Sequence, residues 1–186
     1  MGKSLKDLTL EELWELFPIV LTTHRHEWSD WAKEEIQSLS ALLTEFNPTI
    51  SHIGSTAIPG IQAKPIVDLL VEVYQDYDRE RIRSLLEDRG YICMASSETR
   101  MSFNMGYTID GYADRVFHIH IRQLGDNDEI TFRDYLIANP SMAKEYERLK
   151  LGLLPCYKHD RDGYTAAKSD FVNKVLKLAH SRYKTH

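Results

Sequence analysis

Cysteines and long apolar segments are scarce in this sequence. The two cysteines, Cys93 and Cys156, lie far apart and form no C-x-x-C pair. This excludes a disulfide-dense scaffold and a structural zinc site of the four-cysteine type. No apolar run approaches the roughly 20 residues that a bilayer span needs, and the charged, amphipathic N-terminus is not a secretory signal. We therefore expect a soluble, cytoplasmic protein with free thiols and no membrane partner.

An excess of positive charge is also missing. The 186 residues include 23 Lys or Arg and 28 Asp or Glu, which gives a net charge of −5. An acidic surface repels nucleic acid, so we do not expect a nucleic-acid partner. The hydrophobic share of 42% and the charged share of 27% are typical of a globular protein. The length and the absence of repeats or a long linker predict one domain over residues 1–186.

Hydrophobic spacing predicts two helices before the first strand. Thr9 and Glu12 fit a capping box, and Pro18 ends the helix that they begin. Residues 1–19 are therefore expected to form an N-terminal helical extension. A second helix is predicted over residues 29–46, where apolar residues recur at helical spacing.

Five β segments are predicted in the middle of the chain. Their sequences are TISHI, IVDLLVEVY, YICMAS, RMSFNMGYT and RVFHIHIRQ. IVDLLVEVY is apolar on both faces, as expected of a central strand, and a helix over residues 78–89 is predicted to follow it. The pair Asp110-Gly111 is a hairpin signal between the last two segments.

Residues 129–186 are predicted to form C-terminal helices. The expected helices cover residues 129–138, 141–154 and 163–183. Ser141 is the expected N-cap of the middle helix, and Pro155 is its expected stop. The order of helices, sheet and helical tail predicts a mixed α/β (α+β) fold, in which a mixed β-sheet is flanked by helices.

The segment HIGSTAIPGIQAKPIVDLLVEV, residues 52–73, carries most of the chemical information. A short strand leads to Gly54 and Ser55, where a missing Cβ would let a phosphate approach backbone N–H groups. The hydroxyls of Ser55 and Thr56 add further donors. Asp68 follows Ser55 by 13 residues, a step that suits two adjacent strands joined by a compact crossover. Amide donors beside a carboxylate that holds Mg²⁺ are what phosphoryl and nucleotidyl transfer require.

This segment resembles the signature of the GrpB family. The likeness extends through HEWSDWAKEE, HIHI and TFRDYLIANP and covers roughly residues 20–180. The resemblance implies a nucleotidyltransferase-like fold. It also implies a nucleotide or another small phosphorylated molecule as the ligand. The resemblance itself names no reaction.

The acidic residues depart from the pattern that the resemblance implies. Active nucleotidyltransferases usually carry two carboxylates one residue apart on the strand and a third on a later strand. Here Asp68 is present, but Leu70 stands at the second position. Glu72 shares a strand face with Asp68 but lies about 6.6–6.8 Å beyond position 70. One carboxylate alone gives a poor two-metal site.

His118 and His120 are the expected replacement for the missing carboxylates. Both point to one face of the last strand, and two imidazoles with Asp68 suit Zn²⁺, Mn²⁺ or Fe²⁺ better than Mg²⁺. These three residues are the predicted catalytic and metal-binding set, and the predicted cofactor is a divalent metal ion (Mg, Mn or Zn). The alternative is that the histidines are partly buried polar residues satisfied by hydrogen bonds. For His52 we expect a place at the edge of the core and a carboxylate partner.

Three basic residues complete the predicted nucleotide-binding set with the Gly-Ser-Thr turn. Lys64 lies at the mouth of the strand that carries Asp68, whereas Arg133 and Lys168 lie on helices after the sheet. An arginine fork or a lysine ammonium suits contact with phosphate oxygens. Solvated side chains or surface ion pairs are the alternative for each of them.

The function predicted from these residues is binding of a nucleotide or phosphate, with metal-dependent nucleotidyl transfer if the metal site is active. A catalytically silent ligand-binding domain is the first alternative, and Leu70 favours it over ordinary transferase chemistry. A metal-dependent hydrolase that uses Asp68 with the two histidines is the second. The oligomeric state does not follow from the sequence.

Overall fold

The computed structural model describes residues 5–183, with side chains for all of them except residues 6, 182 and 183. In chain order the helices and strands are α1 (Leu10–Leu16), α2 (Glu27–Leu42), β1 (Thr49–Ile53), β2 (Val67–Val73), α3 (Arg79–Asp88), β3 (Ile92–Ser96), β4 (Arg100–Thr108), β5 (Gly111–Gln123), α4 (Asp128–Ala138), α5 (Pro140–Tyr157), α6 (Arg161–Ala166) and α7 (Ser169–Tyr183). No helix within the described range is both long and apolar enough to cross a bilayer. The predicted helical segments at residues 1–4 and 184–186 lie outside this range.

The first helix begins at the predicted capping box. The Oγ1 atom of Thr9 accepts a hydrogen bond from the backbone N–H of Glu12 at 3.2 Å. In return, Oε2 of Glu12 accepts one from the backbone N–H of Thr9 at 2.8 Å. The helix ends at Leu16, two residues before Pro18, because a proline disfavours the helical conformation in the residue before it.

The second helix is displaced from its predicted bounds. It covers Glu27–Leu42, after which the chain tightens into a 3₁₀ turn over Thr44–Phe46. The turn ends at Asn47, whose φ of +46° is left-handed. Apolar residues continue at helical spacing across this turn, which is why the predicted helix extends to residue 46.

The predicted bounds of the helix over residues 141–154 were wrong at both ends. Helix α5 begins at Pro140, and its N-cap is Asn139 rather than Ser141. The helix continues past Pro155 and ends at Tyr157. Proline is favourable in the first helical turn because the N–H there has no helical partner. Pro155 lies in the last turn, where its missing N–H costs the helix a single internal hydrogen bond.

The predicted helix over residues 163–183 is two helices, α6 and α7. A carboxylate oxygen of Asp160 accepts a hydrogen bond from the N–H of Gly163 at 2.8 Å and caps the start of α6. The short α6 is therefore a separate helix, and the apolar spacing over residues 163–183 did not indicate the break between α6 and α7.

The five strands form one mixed sheet in the order β1-β2-β5-β4-β3. Strands β2 and β5 are parallel at its centre, and the other neighbouring pairs are antiparallel. The hairpin between β4 and β5 turns at Ile109 and Asp110, one residue earlier than the predicted Asp110-Gly111 pair, and Gly111 is the first residue of β5. The mixed α/β class, with a mixed sheet flanked by helices, is thereby confirmed.

The central strands present different chemistry on their two faces. On one face Val67, Leu69, Val71, Ile119 and Ile121 join a core with residues of α2 and α3, including Trp28, Leu39, Ile82 and Leu86. Side chains alternate across a strand, so Asp68, His118 and His120 fall on the opposite face. Helices α4, α5, α6 and α7 contribute residues to a cavity over that face. The polar face of the sheet therefore forms one wall of this cavity, in which the side chains of Asp68, His118 and His120 remain 19–27% exposed.

Candidate functional site

The centre of the site is an aspartate flanked by two histidines. In the parallel pair of strands, Asp68 is directly opposite His118, and His120 lies two residues farther along β5. Oδ1 of Asp68 is 3.2 Å from Nδ1 of His118 and 3.3 Å from Nε2 of His120. One ligand atom from each residue lies within 4.8 Å of the others. The strand period therefore brings this trio together as the sequence predicted.

Gly54 brings the turn after β1 against this trio. It has φ of +73°, and a Cβ built on it would lie only 2.6 Å from Oδ2 of Asp68. The space that a side chain would occupy is thus filled by the carboxylate. The sequence suggested that glycine is needed here to admit a phosphate, but close contact with Asp68 is a sufficient reason. Ser55 and Thr56 follow in the 3₁₀ turn Ser55–Ala57, and both line the cavity.

The outer nitrogen of His118 has a tyrosine partner that the sequence did not suggest. The hydroxyl of Tyr107 lies 2.8 Å from Nε2 of His118. Arg161 donates to that hydroxyl at 3.1 Å and also to the hydroxyl of Tyr112. Burial raises the pKa of Tyr107 to about 12, so it remains a neutral phenol. A continuous chain of polar contacts therefore runs from Arg161 through Tyr107 and His118 to Asp68.

Burial and hydrogen bonding set the charges of Asp68 and His118. Burial alone would raise the pKa of Asp68, but its hydrogen bonds to His118 and His120 outweigh burial and hold that pKa well below its usual range. Burial lowers the pKa of His118 more than Asp68 raises it. At neutral pH the centre is therefore a carboxylate beside a neutral imidazole, the protonation states in which both residues bind metal ions.

Three lysines form a second group in the same cavity, and we call Lys64, Lys150 and Lys168 the lysine cluster. Lys64 and Lys168 lie over the ring of Tyr164, with ammonium-to-centroid distances of 5.8 and 4.6 Å. Lys150 lies 4.9 Å from the ring centroid of Tyr146 and donates to the carbonyl of Gln62. The sequence predicted Lys64 and Lys168 as phosphate ligands and gave no indication that Lys150 lies beside them.

The lysine cluster is short of negative partners. Burial, followed by repulsion from Lys168, lowers the pKa of Lys64 to about 8 and that of Lys150 to about 7. Burial also lowers the pKa of Lys168. Among residues 5–183, no carboxylate oxygen lies within 4.0 Å of the ammonium of Lys64 or Lys168. The cluster is therefore costly to keep charged without an anion.

Both groups face one cavity of about 640 Å³. That volume is typical of a small-molecule site. Its lining includes Gly54, Ser55, Thr56, Asp68, both histidines, the lysine cluster and Arg161. Two further arginines on the wall, Arg122 and Arg100, are already paired with Glu129 at 3.7 Å and with Asp126 at 2.7 Å.

Arg133 is the predicted phosphate ligand that lies away from this cavity. Its guanidinium donates to the carbonyl of His52 at 2.6 Å and pairs with Asp134. Its neighbour Phe132 lines the cavity, and one residue turns about 100° around a helix, so Arg133 faces elsewhere. His52 itself contacts the hydroxyl of Thr56 at 2.9 Å rather than the carboxylate we expected, and burial lowers its pKa to about 4.

No second carboxylate joins Asp68 within the part of the chain that the structure describes. Leu70 is fully buried. Glu72 accepts hydrogen bonds from the N–H of Gly125 at 2.9 Å and from the side chain of Asn127 at 3.0 Å. Glu72 therefore anchors the loop after β5 and is not a cation ligand.

Known proteins share both the sequence and the fold of this chain. The family model described as GrpB protein matches residues 18–178. The chain belongs to the GrpB family. It is 34% identical over 168 residues to the glutamate-rich protein GrpB of Alkalihalophilus pseudofirmus, covering 85% of this chain and 94% of that protein. It is 33% identical to a UPF0157 protein of Pseudomonas aeruginosa, covering 80% of this chain and 62% of the relative.

A GrpB crystal structure matches the fold of this chain. The conserved protein GrpB from Enterococcus faecalis superimposes with a TM-score of 0.73 and 29% identity, over 88% of this chain and 99% of that one. A weaker match, with a TM-score of 0.49 and 11% identity, covers 76% of this chain and 44% of Cid1 poly(U) polymerase. The family assignment rests on the GrpB matches alone.

Proposed function

We propose that this GrpB-family protein binds a nucleotide or another small phosphorylated molecule together with one divalent cation. The phosphates lie at the lysine cluster, and the cation lies between Asp68, His118 and His120. The observation that carries the proposal is the lysine cluster, in which Lys150 is buried and Lys64 and Lys168 are half-buried without a close carboxylate partner, in the same cavity as the carboxylate–histidine trio.

The lysine cluster has the properties of an anion site. Buried ammonium groups lose hydration and repel one another, which is the reason for their lowered pKa values. An incoming phosphate would supply the missing negative charge and make charge-assisted hydrogen bonds. Several ammonium groups in one place favour a ligand with several negative oxygens, such as a di- or triphosphate.

The trio fits one cation of intermediate softness. Nitrogen and oxygen ligands bind Zn²⁺ at about 2.0–2.2 Å, so ligand atoms separated by 3.2–3.3 Å are compatible with a shared ion as well as with hydrogen bonds. Imidazole ligands favour Zn²⁺ and related transition metals over Mg²⁺. When bound, such an ion would neutralise negative charge on the phosphates.

A site for a single cation differs from the two-metal centre that nucleotidyl transfer usually requires. We propose nucleotidyl transfer supported by one transition-metal ion. Leu70, where a second carboxylate would be needed for the usual two-metal chemistry, favours a catalytically silent binder as the second candidate. Both candidates require the same phosphate and cation contacts.

The phosphate half of the proposal can be tested by titrating pyrophosphate and ATP into the purified full chain. Replacing Lys150 by Met keeps the volume and removes the charge, and we expect affinity to fall by about 10–100-fold, the range for a lost charge-assisted hydrogen bond. The matched control is Lys174→Met, since Lys174 is exposed and pairs with Glu145 outside the cavity. Wild-type protein that binds neither ligand, or equal affinity in both variants, would reject the phosphate site.

A further inference from the structure

Tyr107 reaches the site at a bulge in the β4–β5 pair. Met105 is opposite Phe117, whereas Tyr107 is opposite Tyr112, so the extra residues of the bulge lie in β5. At the intervening Gly106, φ is +90°, and a Cβ would lie 2.3 Å from the carbonyl oxygen of Arg115. Only glycine fits this position, and bulges commonly re-aim the side chain that follows. The ring of Tyr107 stacks on that of His118 with a centroid distance of 5.9 Å and an interplanar angle of 14°.

The hydroxyl of Tyr107 can serve either tautomer of His118. A phenol offers one O–H donor and two acceptor lone pairs. When Nδ1–H of His118 donates to Asp68, Nε2 is bare and accepts from the tyrosine O–H. When Nδ1 is instead bare, Nε2–H donates to the tyrosine oxygen. In both cases the other lone pair of that oxygen receives the N–H of Arg161 at 3.1 Å.

Only the second tautomer can bind a cation beside Asp68. Its Nδ1 lone pair faces the carboxylate oxygen 3.2 Å away, so a cation between them would have both as ligands. A histidine that binds a metal through one nitrogen almost always donates through the other, and this fixes the ring and raises its basicity. The Tyr107 hydroxyl lies 2.8 Å from Nε2 of His118, and without it an Nε2–H in the second tautomer would lose this acceptor.

We infer that Tyr107, held by Arg161, is a positioning residue that accepts a hydrogen bond from Nε2–H of His118 when a cation is bound, and so stabilises the tautomer whose Nδ1 faces that cation. This inference rests on the cation centre of the proposed function and deepens it. Tyr107 acts through His118 and touches neither the cation nor the phosphorylated ligand. Its role is therefore separable from those of Asp68 and the lysine cluster.

Tyr112 provides a matched control for the test. It lies in the same aromatic group, with ring centroids 5.4 Å from Tyr107 and 5.1 Å from Phe17. It also accepts a hydrogen bond from Arg161. It has no hydrogen bond to His118 in the structure, so Tyr112→Phe removes a comparable hydroxyl without touching the tautomer.

The experiment titrates Zn²⁺ alone into the wild-type full chain, Tyr107→Phe and Tyr112→Phe, and reads the tautomer of His118 by ¹⁵N NMR. We expect Zn²⁺ affinity to fall about 10–100-fold in Tyr107→Phe and to stay within about twofold of wild type in Tyr112→Phe. In the Zn²⁺-loaded wild type, His118 should carry its proton on Nε2, and this measurement does not depend on either variant folding.

Three results would overturn the inference while leaving the cation centre intact. They are wild-type affinity in Tyr107→Phe, equal losses in both variants, and Zn²⁺ bound through Nε2 of His118. Failure of the wild-type chain to bind Zn²⁺ at all would reject the proposed cation centre and this inference with it.

Discussion

A side chain at position 54 would occupy the same space as the carboxylate of Asp68. The φ of +73° at Gly54 is in the region that favours glycine, and the position of a Cβ is 2.6 Å from Oδ2 of Asp68. Gly60 has a closely similar φ of +76°, but nothing lies within 4 Å of a Cβ built there. A substitution at either glycine strains the backbone, but only a substitution at Gly54 also displaces Asp68.

Gly54→Ala should therefore be more harmful than Gly60→Ala. Alanine at position 54, where φ is +73° and ψ is −173°, should cost about 1–3 kcal/mol in backbone strain. The clash with Asp68 should add about 1–3 kcal/mol at position 54 alone. Urea denaturation of both variants measures the two losses, and cation titration should show weakened binding only in Gly54→Ala. Equal loss of stability in the two variants would mean that Asp68 yields freely and that the close contact is unimportant.

The charge of Lys150 destabilises the ligand-free protein, although the same charge is proposed to bind phosphate. Lys150 is 2% exposed, and its folded pKa of about 7 lies below the ordinary value of 10.5 because of burial and then repulsion from Lys168. Between these pH values the unfolded chain binds the proton that the folded chain has released. The stability of the ligand-free protein should consequently rise with pH across that window, and below it the penalty is full and constant.

The free energy of unfolding, measured by urea denaturation between pH 6 and pH 10, checks this sign. We expect wild type to gain stability relative to Lys150→Met as the pH increases above about 7. The Met variant lacks the titrating group and serves as the reference at each pH. A difference between the two proteins that is independent of pH, or that falls as pH rises, would contradict the lowered pKa.

Among the elements, β2 carries two acidic residues on one face with separate roles. Asp68 contacts both histidines, whereas Glu72 holds Gly125 and Asn127 in the loop that leads from β5 to α4. Glu72 is 4% exposed, and removal of its carboxylate takes away the acceptor for the N–H of the exposed Gly125 and for the side chain of the half-buried Asn127.

Glu72→Ala should accordingly lower stability without abolishing cation binding. The loss should be about 1.5–3 kcal/mol, the net contribution of hydrogen bonds to a charged group, and the reference variant is Asp68→Ala. Thermal unfolding and Zn²⁺ titration distinguish them, because Asp68→Ala should lose the cation. If Glu72→Ala folded and lost Zn²⁺ binding as completely as Asp68→Ala, Glu72 would have to be counted as a ligand.

Sequence patterns predicted the helices and strands well where the interacting residues are close in sequence. The capping box of Thr9 and the alternation along β5 each depend on residues only a few positions apart. Tyr107 and Lys150 depend on contacts across 11 and 88 residues, with His118 and Gln62 respectively. Neither has a local pattern that marks it, and tertiary packing alone brings it to the site.

For the molecule as a whole, the helices after the sheet complete the cavity. Helix α5 supplies Lys150 and Tyr146, α6 supplies Arg161, and Lys168 lies just before α7. The sheet supplies the carboxylate and the two histidines. The proposed cation site therefore comes from the sheet, whereas the proposed phosphate site combines Lys64 in the loop before β2 with Lys150 and Lys168 of the helical layer. A ligand in the cavity would contact both layers.

The central claim, one phosphorylated ligand with one cation in this cavity, is tested most directly by calorimetric titration of Mg²⁺, Mn²⁺ and Zn²⁺ in the presence of nucleotide. The wild-type chain should bind one ion, with Mn²⁺ or Zn²⁺ tighter than Mg²⁺ because two ligands are imidazoles. This binding should disappear in His118→Ala and in His120→Ala. Equal and negligible binding of all three ions to every variant would contradict the account and leave the histidines with a structural role.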